Sequence, residues 1–129
     1  MQIGVTSIAR QCRDARRAVR QRLARAGIEA DHVVVVEEVA QELLVAVFDA
    51  GTTDPVILTV DPSRLLTHIS VKTSTVVNVR DEPFGLRERI LAKLTLAYGQ
   101  QQHPNGAVDV WAAVPRVPGP VARGCPRRV

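Results

Sequence analysis

One stretch limits what this chain can fold into more than any other. After Asp31 the sequence runs HVVVVEEVAQELLVAVFDA before it reaches Gly51. Four consecutive valines, Val33 to Val36, have the look of a strand, but the whole segment is far longer than the ~5 to 6 residues typical of one. Val36, Val39, Leu43, Val47 and Ala50 recur every three or four residues, which is a helical stripe. Asp31 can cap the start and Gly51 can end it in the left-handed conformation. A helix with so little polar surface must be covered on most sides. Glu38, Gln41, Glu42 and Asp49 fall on its more polar side, and a carboxylate row such as Glu37, Glu38 and Glu42 is expected to be its solvated face.

A first helix precedes it. Ser7 is placed to cap a helix through Ala26, with Ile8, Cys12, Ala15, Val19, Leu23 and Ala26 on one face and Gly27 as the stop. Arginines cover the rest: Arg10, Arg13, Arg16, Arg17, Arg20, Arg22 and Arg25. They account for much of a formal charge of +4. Arg13, Arg16, Arg17 and Arg20 lie within two turns, and guanidinium forks grip carboxylates or phosphates with two hydrogen bonds. A solvated face is the plain alternative for them.

Beyond Pro55, Val56 to Val60 reads as a strand, Asp61 to Arg64 as a turn and Leu65 to Lys72 as a second strand, together an antiparallel hairpin. Lys72 to Val79 fits a loop or a short extra strand. Asp81 can cap a third helix with Pro83 in its first turn, buried through Leu86, Ile90, Leu94 and Ala97 and ended by Gly99. QQQHPNG is then a turn-forming loop, and Ala107 to Val114 alternates as a strand that leaves Trp111 opposite the core side. Residues 1–115 make one domain, and the Pro- and Arg-rich residues 116–129 a disordered tail.

Apolar residues are 46% of the chain but aromatics only 3%, so the core is aliphatic. The scarcity of aromatics also removes the stacking platforms of single-strand nucleic-acid binders, which leaves a nucleic-acid-binding module resting on a pI of about 9.8 alone. No run is long enough to span a membrane, and MQIGVTSIARQCRDARR has no apolar signal region, so a cytoplasmic location is expected. Cys12 and Cys125 are read as unpaired thiols, and His32, His68 and His103 have neither metal-ligand spacing nor a nucleophile beside them.

Strand, helix, helix, strand, strand, variable loop, helix, strand is an order that lays three helices on one face of an antiparallel or mixed sheet of four to five strands, an α+β two-layer sandwich. With RDARRAVRQRLARAGI, VVVVEEVAQELLVAVFDAG, PVILTVDPSRLLTHISV and GLRERILAKLTLAYG followed by GAVDVWAAVP, the chain resembles the histidine-kinase-like ATPase (GHKL or Bergerat) fold. The likeness is to the small version found in bacterial anti-sigma regulatory factors, which are serine kinases, and it covers roughly residues 1 to 115.

The resemblance implies a Glu on the second helix and, four residues on, an Asn that holds Mg²⁺ between ATP phosphates. Two alignments stay open: Glu38 as the Glu with Glu42 at the Asn position, or Glu42 as the Glu with Ala46 there. The family's adenine-binding Asp and glycines have no counterpart in VKTSTVVNV, and its glycine-rich lid is reduced to PFGL, Pro83 to Leu86. Glu38, Glu42, Gly85 and Leu86 are thus the remnants of a degenerate nucleotide site.

The expectation is a regulatory protein that binds a sigma factor or a sigma-regulating antagonist through Arg13, Arg16, Arg17 and Arg20, without a metal or other cofactor. The resemblance also suggests a homodimer. The alternative is a divergent serine kinase using Mg-ATP, with Glu38 or Glu42 as general base.

Overall fold

The computed structural model of the chain describes residues 2–3, 8–51, 56–74 and 86–116. Expectations placed on Ser7, Pro55, the 75–79 segment, Asp81, Pro83, Gly85 and the tail beyond Arg116 fall outside them, as do the side chains of Ile8 and Leu86. The elements are β1 (Gln2–Ile3), α1 (Ile8–Arg25), α2 (Ala30–Asp49), β2 (Val56–Pro62), β3 (Leu66–Thr73), α3 (Leu86–Leu94), β4 (Ala97–Gln102) and β5 (Val108–Pro115). The architecture is the α+β two-layer sandwich. Its sheet has the order β1-β2-β3-β5-β4, every neighbouring pair is antiparallel, and the three helices lie on one face.

Strict alternation generates the sheet's inner face. Val56, Leu58 and Val60 of β2, Ile69 and Val71 of β3, and Val108, Val110, Ala112 and Val114 of β5 are buried, while the residues between them face outward. α2 crosses this face over β3 and β5, with α1 packed along it and against β2. Val36, Val39, Leu43, Leu44 and Val47 are fully enclosed between the two layers. On α1, Cys12, Ala15, Val19 and Leu23 meet them, as the helical spacing requires, whereas Ala26 and Ala50 at the helix ends are exposed. Gly27 and Gly51 close these helices at φ of 73° and 85°, where a side chain would be strained. Asp31 does not cap α2; Glu29 occupies the cap position and Asp31 lies in the first turn.

The end of the chain departs most from expectation. The third helix stops at Leu94 instead of Gly99, and Ala97 is exposed on a strand instead of buried on a helix. Tyr98 to Gln102, read as helix end and loop, form β4, which makes a hairpin with β5. The physical reason is local. Thr95 hydroxyl donates to the Leu91 carbonyl at 2.6 Å and ends the helix, and the turn expected from Asn105 and Gly106 is real but shorter. His103 N–H donates to the Ala107 carbonyl, Asn105 Oδ1 accepts from Ala107 N–H, and Gly106 turns at φ of 89°. That compact turn frees Gln100 to Gln102 to pair. The β2–β3 turn is likewise shifted, since Asp61 and Pro62 belong to β2 and the reversal occupies Ser63 to Leu65.

At one end of the sandwich α2, β3 and β5 meet around His32, which is buried. Thr67 Oγ1 lies 2.7 Å from its Nε2, and the Pro115 carbonyl accepts from the ring. Arg116, grouped by sequence with the tail, is bonded into the fold here. Its Nε donates to Glu29 at 3.0 Å, its Nη1 to the Ser63 carbonyl at 2.8 Å and its backbone N–H to Leu65. Burial is the main force holding the His32 pKa below its ordinary 6.5; Glu29 pulls it up and Arg116 pushes it down. No helix among the described residues is long and apolar enough to cross a membrane.

Two outcomes follow from this packing. Leu43→Ala opens a cavity between the layers and is expected to lower unfolding free energy by about 2–5 kcal/mol in urea titrations. As pH falls below 6.5, the unfolded chain takes up a proton at residue 32 before the folded one does, so stability drops toward the depressed folded pKa. Urea midpoints measured from pH 8 to 5 should show that slope in the native chain and a shallower one in His32→Gln; equal slopes would exclude His32 as the source.

Candidate functional site

The arginines of α1 divide into two sets, and a glutamate makes the division. Glu37, expected on a solvated face, is buried at 5% exposure on the side of α2 that meets α1. An ionised carboxylate in that position needs counter-charges and donors. Arg20 supplies a two-pronged contact, Nε to Oε2 at 3.1 Å and Nη2 to Oε1 at 2.9 Å, while Arg16 Nε stands 3.6 Å from Oε1. Arg16 Nη1 donates in addition to Gln41 Oε1 at 2.7 Å. The bond from Glu37 raises the Arg20 pKa above its ordinary value. Arg16 and Arg20 therefore hold α1 to α2.

Arg13 and Arg17 are exposed on the same helix. Their spacing of four places them one turn apart, a geometry that presents two guanidinium forks to one acidic surface. Of the four arginines singled out by sequence, the structure places two at an internal seam and two on an open face.

The remnant nucleotide residues are distributed unevenly. Glu38 and Glu42 are both half-buried on α2. Glu42 is close enough to α1 for its charge to act on the buried Cys12 thiol, whose pKa is raised mainly by burial. Ala46, the Mg²⁺-ligand position in one of the two alignments, is a core residue at 2% exposure and carries no oxygen. Val71 to Thr73 complete β3 with alternating burial, and the rest of the adenine stretch, like Gly85, lies outside the described residues. Among the described residues, no group of three His, Cys, Asp or Glu side chains is placed to hold a metal ion.

The outward face of the sheet gathers residues that sequence spacing left apart. His68 and Trp111 stack with ring centroids 5.9 Å apart and planes 13° from parallel, and Gly99 on β4 lies directly across from Trp111. A Cβ at Gly99 would stand 3.5 Å from the indole, so the ring rests against this position. With Ser70, Gln101 and Asp109 these rings line a shallow hollow of about 260 Å³, and His103 donates to Asp109 at 2.8 Å. The strand register that joins these residues is not legible in the sequence, because AYGQQQ carries no alternating apolar pattern. Glu37 could have been singled out, because it lies a helical turn from Gln41 and faces arginines spaced four apart.

Comparison with protein-family models, with curated proteins and with solved structures gives no match.

The seam generates a contrast between variants. Removing both donors in Arg16→Ala/Arg20→Ala leaves Glu37 buried without counter-charge, whereas Glu37→Leu releases two arginines that reach water. Thermal melts are expected to fall much further for the double arginine variant than for Glu37→Leu; the reverse order would show that the carboxylate contributes nothing beyond its volume.

Proposed function

We propose that this chain is a cytoplasmic regulatory protein of the anti-sigma type that acts by binding another protein, with its Arg13 and Arg17 face meeting an acidic patch on a sigma factor or on a sigma-regulating antagonist. The observation that carries the reading is the division of the arginines. Glu37 engages Arg16 and Arg20, while Arg13 and Arg17 are exposed on a helix whose apolar side is already committed to the core. A rigid helix that presents exposed cations without an apolar stripe suits recognition of a charged protein surface, where electrostatics set specificity and association rate.

The element order adds support: two helices between the first strand and a hairpin, then a helix and two closing strands. Against catalysis stands the core position of Ala46, which carries no oxygen to ligate Mg²⁺. In this reading the fold is kept as a scaffold and the nucleotide chemistry is gone.

Arg13→Glu/Arg17→Glu tests the proposal without touching the Glu37 seam. Against a panel of purified sigma factors and antagonists from the same cell, the native chain is expected to bind at least one, with an affinity that falls as salt rises. The double variant is expected to bind about tenfold more weakly, mainly through slower association, with unchanged melting. Equal binding by both proteins would remove the arginine face from the interface. A parallel Mg-ATP titration followed by amide NMR separates the kinase alternative: saturable shifts around Glu38 and Glu42 would favour catalysis over scaffolding.

A further inference from the structure

Antiparallel register assembles the hollow on the outward sheet face from three strands. Asp109 and Trp111 face outward from β5, with Gln101 of β4 paired across from Asp109 and Ser70 of β3 paired across from Trp111. Neighbouring strands lie ~4.8 Å apart and alternate residues ~7 Å apart, so the four side chains rise from a patch of about 10 Å by 7 Å. With His68 beside them they line the hollow of about 260 Å³. Ligand sites usually begin near ~300 Å³, so this one has room for a single small ring and nothing longer.

The walls decide which chemistry fits. Among the described residues that line the hollow, Asp109 is the one formal charge, and its Oδ2 already lies 2.8 Å from His103 Nε2. A carboxylate with a partner leaves little field for a free ion. The indole of Trp111 is stacked with His68 and rests against Gly99, so a planar base finds no complete ring face there. What is left is a strip of indole beside mixed polar groups: a carboxylate that accepts, a hydroxyl and a carboxamide that both donate and accept, and an imidazole. A neutral molecule with several hydroxyls on one side and C–H groups on the other matches that combination.

We propose that this hollow binds a neutral carbohydrate as a single pyranose ring, its C–H groups against Trp111 and its hydroxyls on Asp109 Oδ1, the Gln101 carboxamide and Ser70 Oγ. Carboxylate and carboxamide are planar forks, each able to engage two neighbouring hydroxyls at once. His103 is a positioning residue here, since its bond to Oδ2 fixes the carboxylate. The proposal is independent of the arginine face of α1.

Trp111 is the chain's single tryptophan, so its fluorescence reports on the hollow directly. The full chain is titrated with glucose, galactose and mannose, each as the free sugar and as the methyl glycoside, up to the hundred-millimolar range. At least one is expected to give a saturable emission change with a millimolar Kd, and amide NMR is expected to place its shifts at Ser70, Gln101, Asp109 and Trp111. Gln101→Ala and Asp109→Asn are each expected to weaken binding about tenfold with native melting; if Asp109→Asn fails to fold, Ser70→Ala takes its place. Preference for the glycoside marks the end of a glycan chain as the natural ligand, and preference for the free sugar marks a monosaccharide. No saturable response to any of the six, as when another part of the chain fills the hollow, would overturn the proposal. So would an equal response to glycerol, tighter binding of adenosine, or unchanged affinity in the variants.

Discussion

The structure depends on α2 being covered from two sides. Its residues contact the sheet through β3 and β5 on one flank and α1 on the other, and the fully enclosed Val36, Val39, Leu43, Leu44 and Val47 lie between. Aliphatic side chains of this kind contribute about 1.5–3 kcal/mol each when fully buried, and a core with few aromatics has no larger unit to rely on. The first helix is therefore required by the second. Without it, one whole side of α2 would stand in water.

That requirement also explains the place of Glu37. A carboxylate on a helix flank is harmless until a second helix covers it, and then it needs partners close at hand. Arg20 and Arg16 supply them from α1 at the price of being unavailable to anything else. The result ties a structural demand to a functional one: the seam selects which arginines are bonded to Glu37, while Arg13 and Arg17 stand exposed beside them. The same reasoning applies at the other end of α2, where Arg116 and Glu29 pair beside the buried His32 and fasten β5 to the β2–β3 turn.

The sheet divides its labour by face and by edge. Its inner side is a continuous aliphatic layer, while its outer side carries the His68–Trp111 stack and the His103–Asp109 pair. Cross-strand neighbours of this kind stabilise a solvent-facing sheet by a few tenths of a kcal/mol to about 1 kcal/mol each. The β4 strand, AYGQQQ, carries no charged residue.

Periodicity by itself determined the helical nature of α1 and α2, the β2–β3 hairpin and the inner face of β5, because each is a repeat of period 3.6 or 2 imposed by burial on one side. It also determined the aliphatic core and the concentration of positive charge on α1. Tertiary structure decided the rest. Ala97 to Gln102 has no apolar alternation to betray a strand, since Tyr98 alone of its side chains packs against the core; pairing with β5 makes it one. Glu37 and Glu38 are adjacent on the same helix, yet one is enclosed and the other half-exposed because α1 crosses on one flank alone. Which arginines serve the fold and which face outward was settled in the same way: sequence lists charges by type, but their partners are chosen by the helix that packs against them.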